Sequence, residues 1–137
     1  MAAVEFIDLT EEVSEDPRGF SFFPFRNRVS RGDVLIPNFH LVSIQPGQVR
    51  GNHAHPGHLE WLYPFHGQGD FIWKSPDGTQ ASRHIAGRRV LIRIFPGVAH
   101  AVRNTGTEPI SLLAWREPMG EEQGRPETVP YPVAETP

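Results

Sequence analysis

Short apolar runs alternate with turn residues through the middle of the chain, and this pattern predicts its strands. Five runs are rich in β-branched and aromatic residues: FHLVSI, EWLYPF, DFIWK, VLIRIF and ISLLAW. The segments between them carry turn signals, namely QPG, HGQG, SPDG, FPG and NTGTEP. Runs of this length between regular turns are typical of an all-β sandwich or barrel. SPDG, which lies between DFIWK and TQASRHI, predicts a hairpin.

The flanking segments are less regular. No stretch combines a helical period with caps at both ends, although DLTEEV could form one helical turn with Thr10 as its cap. We therefore predict one domain in three parts. An N-terminal segment (1–32) pairs with the barrel or with a partner subunit, a barrel spans 33–116, and a tail spans 117–137. Because the tail is rich in Pro and Glu, it either wraps the surface or is disordered.

Composition and charge exclude several kinds of chemistry. The 137 residues include no cysteine, which excludes disulfides, thiolate catalysis and cysteine-rich zinc sites. The formal net charge of -3 gives no reason to expect a nucleic-acid partner or an anionic membrane. The N-terminal residues MAAVEFIDLTEEV lack the basic start and the long apolar stretch of a signal peptide or membrane span. We therefore expect a soluble cytoplasmic protein.

The stretch GNHAHPGHLE carries the candidate chemistry. His53 and His55 are two residues apart, so they share one face of an extended segment. A Pro-Gly turn follows, and Glu60 at the start of the next apolar run can point back to the same place. A metal cage needs a further ligand from a distant strand, and His100, which follows FPGVA, is the candidate. His58 lies in the turn and is expected to be exposed.

Two stretches resemble the two sequence motifs of the cupin superfamily. PGQVRGNHAHPGHLEWLYPFHGQG is similar to the first motif, Gly-x5-His-x-His-x3,4-Glu-x6-Gly. Its matching positions are Gly47, His53, His55, Glu60 and Gly67. FPGVAHAVRN is similar to the second motif, Pro-x-Gly-x2-His-x3-Asn. Its matching positions are Pro96, Gly97, His100 and Asn104. One position departs from the pattern, because Val90 stands where the second motif usually begins with glycine, and the nearest glycine is Gly87.

The cupin resemblance implies a single-domain double-stranded β-helix, which is a jelly-roll barrel. It also implies one divalent metal ion per chain, held by His53, His55, Glu60 and His100. Imidazole and carboxylate ligands suit Zn, Fe, Mn, Ni or Cu, and geometry selects among them. About two positions of a six-coordinate ion would stay open for water or substrate. The alternative is a barrel that binds no metal, in which these four are simply polar side chains.

A second resemblance concerns one branch of the superfamily. EDPRGFSFFPF is similar to the Asp-x-Arg-Gly-Phe segment of dTDP-4-dehydrorhamnose 3,5-epimerases, and VRGNHAH is similar to their Arg-Gly-x-His stretch. The chain also resembles the cupin domain of capsular-polysaccharide sugar-nucleotide epimerases and the sugar-nucleotide 3,4-ketoisomerases. The epimerase resemblance implies that Arg18 reaches the substrate of a neighbouring subunit, that Arg50 contacts the nucleotide phosphates and that His53 acts as the base. Strand alternation allows Arg50 to face the barrel interior.

These resemblances predict an epimerase or isomerase that acts on a nucleotide-activated keto-sugar by metal-assisted enolisation. The catalytic base stays open, because a His53 that binds a metal cannot also be a free base. Tyr63 does not replace it, since alternation puts Tyr63 on the face opposite Glu60. Two alternatives remain: a metal cupin of other chemistry, such as a dioxygenase or a polyketide-type cyclase, and a non-catalytic cupin that binds a small ligand. GFSFFPF is a candidate pairing strand, so we expect a homodimer.

Overall fold

The regular structure of this protein consists of β-strands. The computed structural model describes residues 3–17, 19–21, 40–119 and 127–137. Within these ranges the all-β prediction is confirmed, and no helix long and apolar enough to cross a membrane occurs there. The strands are β1 (Val4–Asp8), β2 (Ser14–Asp16), β3 (Gly19–Ser21), β4 (His40–Ile44), β5 (Val49–Ala54), β6 (His58–His66), β7 (Gln68–Lys74), β8 (Gln80–Ala86), β9 (Val90–Ile94), β10 (Ala99–Asn104), β11 (Ile110–Pro118) and β12 (Val129–Pro130).

The strands form two five-stranded antiparallel sheets and a small β2–β3 ribbon. The order of the first sheet is β1-β9-β6-β11-β4, and the order of the second sheet is β12-β5-β10-β7-β8. The pairs β4–β11, β5–β10, β6–β9 and β7–β8 are nested, so the chain folds back on itself about the SPDG hairpin. The turn closes with a hydrogen bond from the Gly78 amide to the Ser75 carbonyl. This nesting is the double-stranded β-helix that the cupin resemblance implies.

The main core lies between the facing surfaces of the two sheets. Because side chains alternate along a strand, every second residue of each strand points into this space. The largest cluster of buried apolar side chains draws on both sheets. Its members include Ile44, Leu62, Phe71, Ile85, Ile92, Ile94, Val102, Ile110 and Leu112.

The described residues that follow β1 cover the outer face of the first sheet, where Leu9 and Val13 are buried. The strand residues of this second cluster are Leu59, Trp61, Tyr63, Leu91 and Trp115. β6 is therefore apolar on both faces, which is why its sequence reads as a continuous run. Tyr63 faces away from Glu60, as alternation predicts.

Two local features differ from the sequence expectations. A single turn does follow β1, with the Val13 amide bonded to the Leu9 carbonyl, but its cap is Asp8 and not Thr10. The Asp8 Oδ1 atom accepts hydrogen bonds from the amide and the hydroxyl of Thr10, which is the role of an N-cap side chain. His58 begins β6 and is partly buried, so the prediction of an exposed side chain is wrong.

The departure from the second motif at Val90 also has a local explanation. Val90 is buried at the start of β9, where it pairs with Asp8. Gly87 lies in the preceding turn, and a Cβ atom there would be 2.8 Å from the His66 main-chain nitrogen. Glycine is required where two main chains approach closely, and here the close approach to His66 occurs at position 87. Position 90 can therefore carry a valine side chain.

The described end of the tail, residues 127–137, lies against the second sheet; we call it the C-terminal strap. Its β12 strand adds to the edge of that sheet beside β5. Val133 of the strap is buried on the outer face of the sheet. The apolar side chains that it meets belong to a third cluster with Ala54, Ile72, Ala99 and Ala101.

A β-bulge interrupts β5 just before the first histidine. Gly51 and Asn52 both have positive φ angles, +104° and +57°, and the register with β10 shifts at this point. The shift places His53 opposite His100 and Arg50 opposite Val102. The prediction that alternation turns Arg50 inward is therefore right about the side but wrong about the reason. Strict alternation would put Arg50 and His53 on opposite faces, because they are three residues apart. The extra residue of the bulge brings both onto the inner side of the strand.

Candidate metal centre

The four predicted ligands come together in the structure. His53 lies near the end of β5, and His55 is the first residue after that strand. Glu60 lies near the start of β6, and His100 is on β10. One ligand atom from each residue can be chosen so that all four lie within 4.8 Å of one another. Cross-strand pairing joins His53 to His100 within the second sheet, and the turn after β5 brings Glu60 of the first sheet to face them.

The cluster is sheltered from solvent on most sides. His55, Glu60 and His100 are 2%, 4% and 2% exposed, whereas His53 is partly buried. The rings of His53 and His55 lie 4.5 Å apart between centroids, and those of His53 and His100 lie 4.9 Å apart. His53 is therefore the ligand that faces the open side of the site.

Two of the imidazoles have their ring orientation fixed by main-chain carbonyls. The Nδ1 atom of His55 lies 3.1 Å from the Glu127 carbonyl oxygen, and the Nδ1 atom of His100 lies 3.0 Å from the Val98 carbonyl oxygen. A carbonyl oxygen only accepts, so each Nδ1 must donate a proton. In a neutral ring the Nε2 atom then carries the lone pair, which is the arrangement that metal-ligating histidines use.

Both Nε2 atoms point at the buried carboxylate. His55 Nε2 is 3.1 Å from one Glu60 oxygen, and His100 Nε2 is 2.9 Å from the other. If both rings are neutral, their Nε2 lone pairs face the negatively charged carboxylate oxygens, and the two repel each other. A buried arrangement of this kind requires a cation between the groups, either protons or a metal ion. The donor set fits a divalent ion. Nitrogen ligands at about 2.1 Å from one ion lie at most about 4.2 Å apart, so small side-chain movements close the cage.

The protonation equilibria agree with a cationic centre. Burial alone raises the pKa of Glu60, but the hydrogen bonds from His100 and His55 outweigh burial and hold that pKa well below its usual range. Burial lowers the pKa of His53 to about 4, and the neighbouring imidazoles of His100 and His55 add to the shift. At neutral pH, Glu60 is therefore an anion and His53 is a neutral lone-pair donor.

Arg116 is a residue of the site that the sequence reasoning missed. It lies opposite Glu60 on β11, and its Nε donates to Glu60 Oε2 at 3.0 Å. Its NH1 group donates to Glu127 Oε1 at 2.6 Å. Period-two alternation through Leu112 and Ala114, which both belong to the main core, could have indicated that Arg116 points inward. The oxygen that Arg116 contacts is also the one that lies 3.1 Å from His55 Nε2, so Arg116 and His55 hold the same side of the carboxylate.

Aromatic rings line one side of the centre. Phe71 stacks on His100 with 6.1 Å between ring centroids, and Trp73 lies opposite His100 on β7. Phe6 contacts both, at 5.9 Å from Phe71 and 5.4 Å from Trp73. This apolar wall limits hydration beside His100, which strengthens the electrostatic interactions there. Trp73 lies near the site, whereas Trp115 stacks on Trp61 on the outer face.

The two predicted substrate arginines are not in the described cluster. Arg50 is exposed, and its Nε donates to the Ser43 carbonyl oxygen on β4 at 2.8 Å. It begins on the inner side of β5 and bridges to the edge of the other sheet. Arg18 lies outside the described residues, as does the part of GFSFFPF after Ser21. Their substrate roles stay predictions.

A cavity of about 500 Å³ opens at the C-terminal end of β6, away from Glu60. The residues that line it include His66, Gly67, Arg88, Thr107 and Glu108. None of the four clustered ligands is among the lining residues, so this cavity is separate from the candidate metal centre.

Comparisons with known proteins agree with the fold and the motifs. A family model described as "Cupin domain" matches residues 40–116. Among curated proteins, the glucose-6-phosphate isomerase of Thermococcus kodakarensis is 30% identical over 112 residues, which is 76% of this chain and 57% of the relative. The chain thus spans little more than half the length of that relative.

Solved structures share the fold at low sequence identity. The capsular polysaccharide assembling protein CapF of Staphylococcus aureus superposes with a TM-score of 0.62 at 20% identity, over 88% of this chain and 34% of that one. The sugar 3,4-ketoisomerase QdtA of Thermoanaerobacterium thermosaccharolyticum, in complex with TDP, gives a TM-score of 0.65 at 17% identity, over 93% of this chain and 87% of that one. These likenesses show a shared barrel.

Proposed function

The chain belongs to the cupin domain family, and from that premise we propose that it is a metal-dependent isomerase or epimerase of an anionic keto-sugar. The observation that carries the proposal is the buried cluster of His55, Glu60 and His100 with half-buried His53, in which two Nδ1 atoms are committed as donors to carbonyls. One divalent ion per chain is part of the proposal.

The proposed reaction is enolisation. A carbon next to a carbonyl group is acidic enough to lose a proton to a positioned base, provided that charge on the enolate oxygen is stabilised. When bound, a divalent ion supplies Lewis-acid polarisation of that carbonyl. The protein residues hold the ligands in place, and Arg116 fixes Glu60 while the aromatic wall of Phe71 and Trp73 limits water. His53 is a candidate base only in a barrel that holds no metal.

The relatives support this reaction class. Both the glucose-6-phosphate isomerase and the sugar 3,4-ketoisomerase are named for isomerising sugars, and both substrates carry phosphate groups by name or through a nucleotide. The proposed substrate is accordingly a keto-sugar with a phosphate or a nucleoside diphosphate. Homodimer formation through GFSFFPF and a cytoplasmic location belong to the same proposal, and the described residues do not test them.

Solvent exchange tests enolisation without knowledge of the product. The metal-loaded protein, incubated in D2O with TDP-4-keto-6-deoxyglucose or with fructose 6-phosphate, the keto isomer of glucose 6-phosphate, is expected to incorporate deuterium at the carbon beside the carbonyl. Proton NMR follows the loss of that signal. Exchange should stop when the metal is removed by a chelator, because nothing then polarises the carbonyl.

The control reaction contains His100→Ala at the same protein concentration. Exchange that continues equally in this variant and in chelated protein would place the chemistry elsewhere. Absence of exchange with both sugars contradicts the proposed function. If the Fe(II)-loaded protein then consumes dioxygen, the oxygenase alternative is favoured.

Nucleotide binding gives a separate prediction for Arg50. If the substrate is a sugar nucleotide, dTDP or UDP at excess concentration should raise the melting temperature of the protein, because ligand binds the folded state. Arg50→Ala should abolish that shift, since an arginine fork suits a diphosphate. Differential scanning fluorimetry measures both, with Arg89→Ala, an exposed arginine in the turn before β9, as the matched control. An equal shift in Arg50→Ala would remove this role from Arg50.

A further inference from the structure

We propose that the C-terminal strap is part of the metal centre: Asn52 latches it to the barrel, and its first residues, Glu127 and Thr128, hold His55 in its ligating orientation. In this proposal Asn52 and Thr128 are positioning residues for His55. It rests on the metal site of the proposed function, but its test needs only a metal ion and no substrate.

Asn52 uses nearly all of its hydrogen-bonding capacity on the strap. Its Oδ1 atom accepts from the amides of Val133 at 2.8 Å and Ala134 at 2.9 Å, and its Nδ2 group donates to the Ala134 carbonyl at 3.0 Å. Its own main-chain carbonyl accepts from the Tyr131 amide at 2.7 Å. Asn52 sits in the bulge at φ +57°, a conformation that asparagine tolerates better than most residues. The bulge therefore turns this amide toward the strap.

Apolar packing adds to the latch. Val133 is 7% exposed on a platform of small side chains, Ala54, Ala99 and Ala101. The Gln80 side chain donates to the Val133 carbonyl at 2.8 Å. Alanines at these positions leave room for a chain to cross the sheet closely. The strap is thus held along its length and follows a defined path.

The other end of the strap reaches the ligand shell. The Nδ1 atom of His55 lies 3.1 Å from both the Glu127 carbonyl oxygen and the Thr128 hydroxyl. The Glu127 carboxylate bonds Arg116, which in turn bonds Glu60. Two of the four proposed ligands are therefore oriented through residues of the strap. Mutation of a residue that hydrogen-bonds to a metal ligand typically lowers the metal affinity about 10–100-fold.

The chain path explains how the latch and the ligand are coupled. β12 pairs Val129 with Ala54 and Pro130 with His53, so the strap leaves the metal centre alongside the strand that carries the ligands. The Glu127 carbonyl stays beside His55 only while that pairing persists. Releasing Asn52 loosens the strap immediately after β12, and the acceptor of His55 loses its fixed position.

Titration of the full chain with Co(II), in competition with a chelator of known affinity, tests the proposal. Asn52→Ala should bind Co(II) about 10-fold or more weakly, and the visible spectrum of the loaded variant should change because one ligand is reoriented. Thr128→Val, which removes the hydroxyl at equal size, should weaken binding several-fold. Thr128→Ser should restore affinity and spectrum to the level of the unmodified protein.

A stability control distinguishes loss of the His55 orientation from a general loss of folding stability. Ile85→Val trims the main core, which is a different apolar cluster from the one that holds Val133, and lowers stability by about 0.5–1.5 kcal/mol. Its Co(II) affinity and spectrum should not change. Unchanged affinity and spectrum in both Asn52→Ala and Thr128→Val overturn the proposal, as does an equal loss in Ile85→Val. Lack of Co(II) uptake by the unmodified protein overturns the metal assignment and this inference together. If the variants bind Co(II) as expected but neither sugar exchanges deuterium, the role of the strap is supported and the proposed reaction is contradicted.

Discussion

His100→Ala is expected to lower the affinity for a divalent ion by more than about 100-fold, beyond the range typical of outer partners. The reason is that Nε2 of His100 is one of the lone pairs aimed at the centre, and its Nδ1 is committed to the Val98 carbonyl. The unmodified protein should carry about one ion per chain. Elemental analysis of the purified protein and chelator competition with Zn(II) measure the two quantities.

A histidine outside the cluster provides the matched control. His84 is exposed on β8, where it bonds Asp70 and Gln68, and His84→Ala should leave metal affinity unchanged. Unaltered affinity in His100→Ala would mean that the fourth ligand is wrong. A protein that carries no ion, even after metal addition, would contradict the metal centre itself.

The second large effect concerns a glycine of the first motif. Gly67 has φ +87°, and a Cβ atom there would lie 2.7 Å from the Pro109 carbonyl oxygen and 2.9 Å from the Ile110 Cα. Gly67→Ala therefore combines a left-handed backbone with a backbone clash and should lower the free energy of unfolding by about 2–5 kcal/mol. Urea denaturation of the metal-free protein measures this change.

Gly47→Ala is the matched control, because it tests the left-handed backbone conformation without the steric clash. Gly47 belongs to the same motif and has φ +81°, but a Cβ atom there meets nothing within 4 Å. Gly47→Ala should cost only the conformational part, about 1–2 kcal/mol. Equal losses in the two variants would show that the close approach of β6 and β11 at Gly67 contributes nothing to the sequence requirement.

Local patterns predicted most of the barrel and the four clustered residues. Period-two alternation and turn residues act over a few positions, so β4, β6, β7, β9, β11 and the SPDG hairpin that leads into β8 could be assigned directly. β5 and β10 have no such apolar run and are covered only by the two motifs. The motif spacings then placed His53, His55 and Glu60 around one turn. His100 required the second motif, because a residue some forty positions away has no local pattern that links it to the first three.

The bulge shows where local reasoning ends. Alternation alone would separate Arg50 from His53, and only the register of β5 against β10 shows that one extra residue brings them to the same side. Register depends on cross-strand contacts and hydrogen bonds, which a single strand sequence does not contain. The same holds for the orientation of Asn52 toward the strap.

By itself, the sequence determined the strand pattern through short periodicities. Its resemblance to the two cupin motifs, which have fixed spacings, indicated the barrel class and the four side chains that cluster. Only the tertiary structure decided which groups surround the ligands. Arg116 meets Glu60 across two strands, and Glu127 returns 72 positions along the chain to His55. The polar tail has no periodic pattern, so its contact with His55 could not be predicted from the sequence. Its position follows from the closure of the barrel, which sets the edge of β5 beside the small residues on which the strap packs.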